Sequence, residues 1–288
     1  MDLMLKRRLP TTRIVTWPLL LVALSLQASD RIEKVFHVSK NPNLMLTNYS
    51  GVISVKGWQN PEIKAVSIRH SQNVEIDTES SGNKVRISTH VLDKLASPEQ
   101  SKVDYQVLVP EESNVQVQSN MGSVTIESIK GEVCLDVVDA AVKVVGIHGY
   151  VTAKSLGSKL EISQCNGMIQ ATTVSGDIVF NKVESNNVAA YSTLGNIFYE
   201  GDFTSGGRYN FLTNEGFISV YCPDQASVEW DAKTVKGVIE SDLPIKSKSH
   251  RSVPPNSFSR QSLVGTLNSG DATVQLSTFS GKIRIRRK

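Results

Sequence analysis

Between Asn120 and Phe180 the apolar and polar positions recur every nine residues. One apolar ladder runs Val124, Val133, Val142, Val151, Leu160, Ile169, Ile178, and a second lies two residues later at Ile126, Leu135, Val144, Ala153, Ile162, Ala171, Phe180. A third precedes them at Ile129, Val138, Ile147, Leu156, Cys165, Val174. Small residues fill the column between, at Gly122, Gly131, Ala140, Gly149, Ser158, Gly167 and Gly176. Apolar residues two apart mark a strand with one buried face. The small residue suits a bend where positive φ or close backbone contact excludes a larger side chain. A short fixed period signals a solenoid, whose repeats bury their faces only by stacking on one another.

Two such units make a coil of about 18 residues with two short strands and two corners, and all three apolar ladders are expected inside. A six-residue helical repeat fails, because steps of six from Val124 land on Lys130 and Asp136. Calcium-binding nonapeptide rolls need a Gly-Gly-x-Gly-x-Asp corner that gathers oxygen ligands. Each corner here has one small residue and no Asp column, so no calcium is expected. The fold class predicted is all-β, a single-stranded β-solenoid of about eight coils, by the repeat arithmetic.

Beyond Phe180 the small position continues at Asn186, Gly195, Gly207, Gly216, Ala226 and Gly237, with looser spacing, and resumes at Gly270 and Gly281. The Pro-, Ser- and Lys/Arg-rich stretch 242–261 has no period and reads as an exposed loop thrown out from one coil. Strands are expected at Ile32–Val38, Leu44–Thr47, Val52–Lys56, Ile63–Arg69, Val74–Asp77, Lys84–Thr89 and Val103–Val109. The spacing therefore divides the chain into a β-rich cap with the first coil or coils at 29–112 and the solenoid proper at 113–288. A cap is needed because open strand edges template aggregation.

The N-terminus changes the reading of charge. Lys6, Arg7, Arg8 and Arg13 precede an apolar run from Ile14 to Leu26, then Gln27-Ala28 and the polar Ser29-Asp30. That is the pattern of a secretory signal, cut after Ala28, and the run is short for a membrane span of roughly twenty residues; Leu26, large for the third position before a cut, leaves an uncleaved anchor as the alternative. Export to the periplasm, cell surface or medium is the expectation, with no transmembrane span after removal of the signal. Residues 1–28 hold four of the 31 basic and one of the 28 acidic residues, which leaves 27 of each. The nominal pI of 8.6 thus belongs to the signal and points to no nucleic-acid partner. Three cysteines, Cys134, Cys165 and Cys222, cannot form a complete disulfide framework. Cys165 falls on an inward slot, whereas Cys134 lies between two inward residues and should face out.

One string recurs along the chain. Thr47-Asn48-Tyr49-Ser50-Gly51-Val52-Ile53-Ser54-Val55 leads into Gly57-Trp58, and its core returns at Thr173-Val174-Ser175-Gly176-Asp177-Ile178-Val179-Phe180. It returns again at Thr213–Val220 and at Thr278–Ile285. Together these T-x-S-G-x-I-x-V repeats resemble the bacterial family of exported β-solenoid domains catalogued as putative adhesins, a domain of unknown function. The resemblance covers residues 32–288, implies the solenoid fold, and brings no catalytic residues with it. The chain departs from the pattern at Ala140, at Ser158 and in the long stretch before Gly265.

Chemistry is sparse. His37, His70, His90, His148 and His250 form no His-x-x-x-His pair and there is no Cys-x-x-Cys, so no metal is expected. No Gly-x-Ser-x-Gly elbow, phosphate loop or dinucleotide fingerprint occurs, and no cofactor is expected. A carbohydrate-active β-helix, the alternative reading, needs carboxylates on adjacent coils. Steps of eighteen give Asp136, Lys154, Thr172, Ala190 and Asp139, Gly157, Ser175, Thr193, neither of which stacks them. A non-enzymatic interaction scaffold is the favoured expectation, with an envelope protein, a glycan or a second copy as partner. Its candidate surface comprises Phe198 and Phe217, at outward positions, with Lys246, Lys248 and Arg251 on the basic stretch. Aromatic packing between coils and solvated charge are the plainer readings of the same residues.

Overall fold

The computed structural model describes residues 30–93, 95–247 and 261–288. The signal-like segment and most of the basic stretch, including Lys248, His250, Arg251 and Arg260, lie outside the described residues. Every helix or strand among the described residues is a strand. The strands wind into parallel coils, each contributing one straight segment to either of two facing sheets. Ile169 lies beside Val151 and Val188, and Leu160 beside Val142 and Ile178, in unbroken register. All fourteen residues of the first two ladders are buried. Each Val, Leu, Ile or Phe among them contributes roughly 1.5–3 kcal/mol by leaving water.

The third ladder divides, because the coil has two unlike corners. At one corner Ile129, Ile147 and Cys165 are buried as expected. The bend beside them uses Ser128, Gly146, Gln164 and Lys182 in the left-handed region, at φ between 51° and 65°. At the other corner Val138, Leu156 and Val174 face solvent, contrary to the ladder expectation. The residue before each turns inward instead: Val137, Ser155 and Thr173, continued by Ser192, Thr213, Thr278 and Thr234. All but Val137 carry a hydroxyl, and those of Ser155, Thr173, Ser192, Thr213 and Thr278 close the bend by accepting the N–H three residues on. Thr213 Oγ1 accepts the Gly216 N–H at 3.2 Å and donates to the Gly195 carbonyl of the preceding layer at 3.0 Å. Glycine follows because layers touch there: a Cβ on Gly281 would lie 1.7 Å from the Gly216 oxygen, and one on Gly237 1.8 Å from that of Gly281.

That glycine ladder runs 176, 195, 216, 281, 237, so stacking order is not chain order. The last coil, Ala272–Thr278 with Ile283–Arg287, is inserted between Arg208–Thr213 with Ile218–Cys222 and Val228–Thr234 with Ile239–Ser241. Antiparallel Ser262–Leu267 covers Val228–Thr234, and the two-residue strand Lys246–Ser247 lies outside it. At the opposite end, Asn43–Trp58 is also internal. It sits between Asn114–Glu127 and an outer coil made of Lys84–Val91 and Val103–Pro110. Antiparallel Val74–Ser81 then closes one sheet, and Glu62–Arg69 followed by Asp30–His37 closes the other. Ten parallel layers result, two more than the repeat arithmetic suggested, because residues 43–58 and 84–110 each complete a coil. At one strand spacing per layer the body is about 48 Å long.

The interior is widened with aromatic residues toward the C-terminal half. Phe180, Tyr199 and Phe211 pack at centroid distances of 5.1–6.0 Å, and Ala171 and Ala190, in the column that ends in Phe211 on the sheet facing Phe180 and Tyr199, leave room for them. The buried Tyr199 hydroxyl donates to the Asp202 carbonyl and that of Tyr209 to the Ser185 carbonyl. Burial with no offsetting cation pushes the Tyr199 hydroxyl pKa far above its ordinary value.

Candidate interaction surfaces

Phe198 and Phe217 come together on the outer face of the sheet that carries Ile197–Gly201 and Ile218–Cys222. Their rings meet edge to face at 5.2 Å and 89°. The Arg284 guanidinium, one layer further on, lies 5.8 Å above the Phe217 ring. Ser219 is buried in the same neighbourhood, and both phenylalanines are half-buried. The pair therefore offers little open ring face for a sugar to stack on. Beside it, Val179, Asn181, Phe198, Glu200 and the exposed Tyr221 line a shallow depression.

Lys246 is not part of this patch. It is exposed in the short outer strand of the other sheet, with Thr266 as its ladder partner. Nor is the C-terminal basic run a free cationic surface. Lys282 meets Glu240 at 2.7 Å, Arg286 meets Asp242 at 3.0 Å, Arg287 meets Asp224 at 2.9 Å and Lys288 meets Glu200 at 3.6 Å. The Lys282 ammonium, helped by Arg286 and Arg284, holds the Glu240 carboxyl below its ordinary value. These pairs tie the inserted last coil to its neighbours.

A further surface, outside the buried ladders, runs along the second corner. Val138, Leu156 and Val174 stack on successive layers, exposed by 46%, 57% and 42%. Met121 and Leu194 lie one column over on the flanking layers, and past the polar Thr193 and Asn214 the row resumes with Phe279 and Val235. Seven of the sixteen exposed large hydrophobic residues among the described residues thus share one edge of the rod. The signal was in the sequence. Ser155, Thr173, Thr278 and Thr234, each three residues before a Ser or Gly, mark the inward position and leave the next residue outside, while Val137 takes that place ahead of Val138.

Elsewhere the chemistry is modest. A groove on the other sheet near the N-terminal end is lined by Met45, Glu79, Lys84, Arg86, Glu132 and Cys134, among others. Burial, aided by Glu132, raises the Cys134 thiol pKa, which keeps it protonated and weakly nucleophilic at neutral pH. All three cysteines are free. His70 Nε2 lies 2.7 Å from Asp104 Oδ2, while Asp104 Oδ1 accepts the Val52 N–H, so this pair braces the corner next to Gly51. Among the described residues no three His, Cys, Asp or Glu side chains converge as metal ligands, and no helix is long and apolar enough to cross a membrane.

No curated protein matches the chain in sequence. Among solved structures it is similar to a putative adhesin from Bacteroides fragilis, with 12% identity and a TM-score of 0.51 over 91% of this chain and 99% of that one. It also matches a putative adhesin from Parabacteroides merdae, with 10% identity and a TM-score of 0.39 over 88% and 95%. At these identities likeness speaks to fold alone, and only the first is near enough to do so. The sequence profile of one family, in contrast, spans residues 32–286, nearly all of the described coils, and on that match the chain belongs to the Toastrack DUF4097 family.

Proposed function

We propose that the protein is a passive, non-enzymatic scaffold of the adhesin-like kind, acting outside the cytoplasm at the cell envelope. The observation that carries this reading is the apolar corner, where a rigid ladder presents Val138, Leu156 and Val174 to solvent one strand spacing apart. Aliphatic rows of this type bury against apolar protein surface, whereas sugars stack on open aromatic faces. A protein partner is therefore favoured over a glycan. The basic and apolar pattern of residues 1–28 supports export, and the solved Bacteroides fragilis protein of similar fold is itself described as a putative adhesin.

The test is retention of envelope proteins and of a glycan panel by the immobilised chain. Leu156→Asp/Val174→Asp changes only exposed positions and is expected to lower retention of the protein partner at least tenfold. Phe198→Ala/Phe217→Ala is expected to leave it within about twofold. Retention of nothing, together with depolymerisation of the glycan panel, would instead establish the carbohydrate-active reading.

A further inference from the structure

We propose that the outermost strand at the N-terminal end, Asp30–His37, pairs antiparallel with the same strand of a second copy, in the register that sets Ile32 against Ile32. The strand is hydrogen-bonded along one edge only, from Asp30 beside Arg69 to His37 beside Glu62, and no described strand pairs with its other edge. Half its peptide groups therefore point out of the end of the rod. Such an edge is ordinarily blunted by charge. The neighbouring open strand, Val74–Ser81, follows that rule, with Glu75, Asp77 and Glu79 exposed and no cation within it. No register of that strand with itself joins opposite charges.

Asp30–His37 is different. Ile32 and Phe36 are half-buried on the face turned toward the core, and Arg31, Glu33 and Val35 are exposed on the other. A two-fold axis perpendicular to the sheet keeps each face on its own side, so partners must be separated by an even number of residues. With Ile32 on the axis, Arg31 meets Glu33 on the outer face and Asp30 meets Lys34 on the inner face, each twice. Four opposite-charge pairs then flank an apolar centre. The next two registers place Glu33 against Glu33 or Lys34 against Lys34 at the axis, and the one after sets Lys34 against Phe36. Neighbours hold these groups in place: Asp30 pairs with Arg69 at 2.8 Å and Glu33 with Lys64 at 2.6 Å.

The stagger of the two sheets permits the approach. Beyond the outermost coil one sheet adds two strands, Glu62–Arg69 and Asp30–His37, whereas the other adds only Val74–Ser81. In the dimer the two acidic edges are separated by three strand spacings, about 14 Å. That exceeds the Debye length of about 8 Å at physiological ionic strength, so their repulsion is largely screened. The product is two rods joined end to end through one continuous sheet.

Sedimentation equilibrium of the purified chain over a range of concentrations tests this directly. A monomer–dimer equilibrium is expected. Arg31→Glu sets like charges opposite one another and should raise the dissociation constant at least tenfold, and Arg31→Glu/Glu33→Arg should restore it to within about threefold. Independently of those variants, Ile32→Cys in a Cys134→Ser chain should cross-link into a disulfide dimer on mild oxidation, because each copy meets its own mate there. Val35→Cys, on the opposite face and off the axis, should not. A chain that stays monomeric at every concentration, a dimer indifferent to Arg31→Glu, or cross-linking at position 35 in preference to 32 overturns the proposal.

Discussion

A single hydroxyl does much of the work of each second corner. Thr213 closes its own bend through the Gly216 N–H and stitches its layer to the previous one through the Gly195 carbonyl. Thr213→Val keeps the shape but strands a buried donor and a buried acceptor, which costs roughly 1–3 kcal/mol. A urea midpoint unchanged by that substitution would show that the hydroxyl is incidental. The ladders make a matching contrast. Ile169 is fully buried and Cys134 only half so, between Val133 and Leu135. Ile169→Asp should destabilise by about 3–5 kcal/mol, since an uncompensated charge enters the stack, while Cys134→Ser should stay within about 0.5 kcal/mol. Comparable losses in both mean that inside and outside have been confused. At this scale the first two ladders were legible because every straight segment is alike. The third was not, because a nine-residue period superimposes two corners that differ: one turns on a left-handed residue, the other on a buried Ser or Thr from Ser155 onward, with Val137 in that place one layer earlier.

Coils, as elements, stack in an order that periodicity cannot report. It shows that each segment needs a neighbour, not which one it finds. The inserted last coil is possible because Ser262–Leu267 runs back antiparallel to Val228–Thr234, which places residue 272 beside the layer that began at Arg208. Its only trace in the sequence is the break in period over 242–261 and the return of the motif at Gly270. A smaller slip arises between Thr173 and Ser192, where the coil takes one extra residue, so Thr172 lies beside Tyr191 rather than Ala190. Solenoid layers are stabilised chiefly by nearest neighbours. Removal of residues 270–288 should therefore strip protection from 228–241 while the layers over 133–171 keep theirs. Hydrogen exchange read segment by segment checks this, and protection persisting at 228–241 in the shortened chain would refute the insertion.

At the scale of the whole molecule, charge is spent locally. Glu33, Glu111 and Glu240 each sit below their ordinary value of 4.5, chiefly through hydrogen bonds from Lys64, Lys130 and Lys282. A carboxyl lowered in the folded state adds stability that is complete above the unfolded value and drains away as pH falls through the folded one. The melting temperature should therefore hold level near neutrality and decline below about pH 4.5, by little, because these pairs are exposed and screened. A decline beginning near pH 6 points to histidine instead. Sequence charge alone, neutral once residues 1–28 are set aside, could not show this pairing, which depends on which strands the fold makes adjacent.

Both the architecture and the proposed interaction surface rest on the second corner turning Ser155 inward and Leu156 outward. Thiol labelling of single cysteines at these two positions, in a Cys134→Ser chain under native conditions, measures that directly. Leu156→Cys should react at a rate close to that of a free thiol, and Ser155→Cys only as fast as the chain unfolds. Equal rates, or the reverse order, would contradict the account.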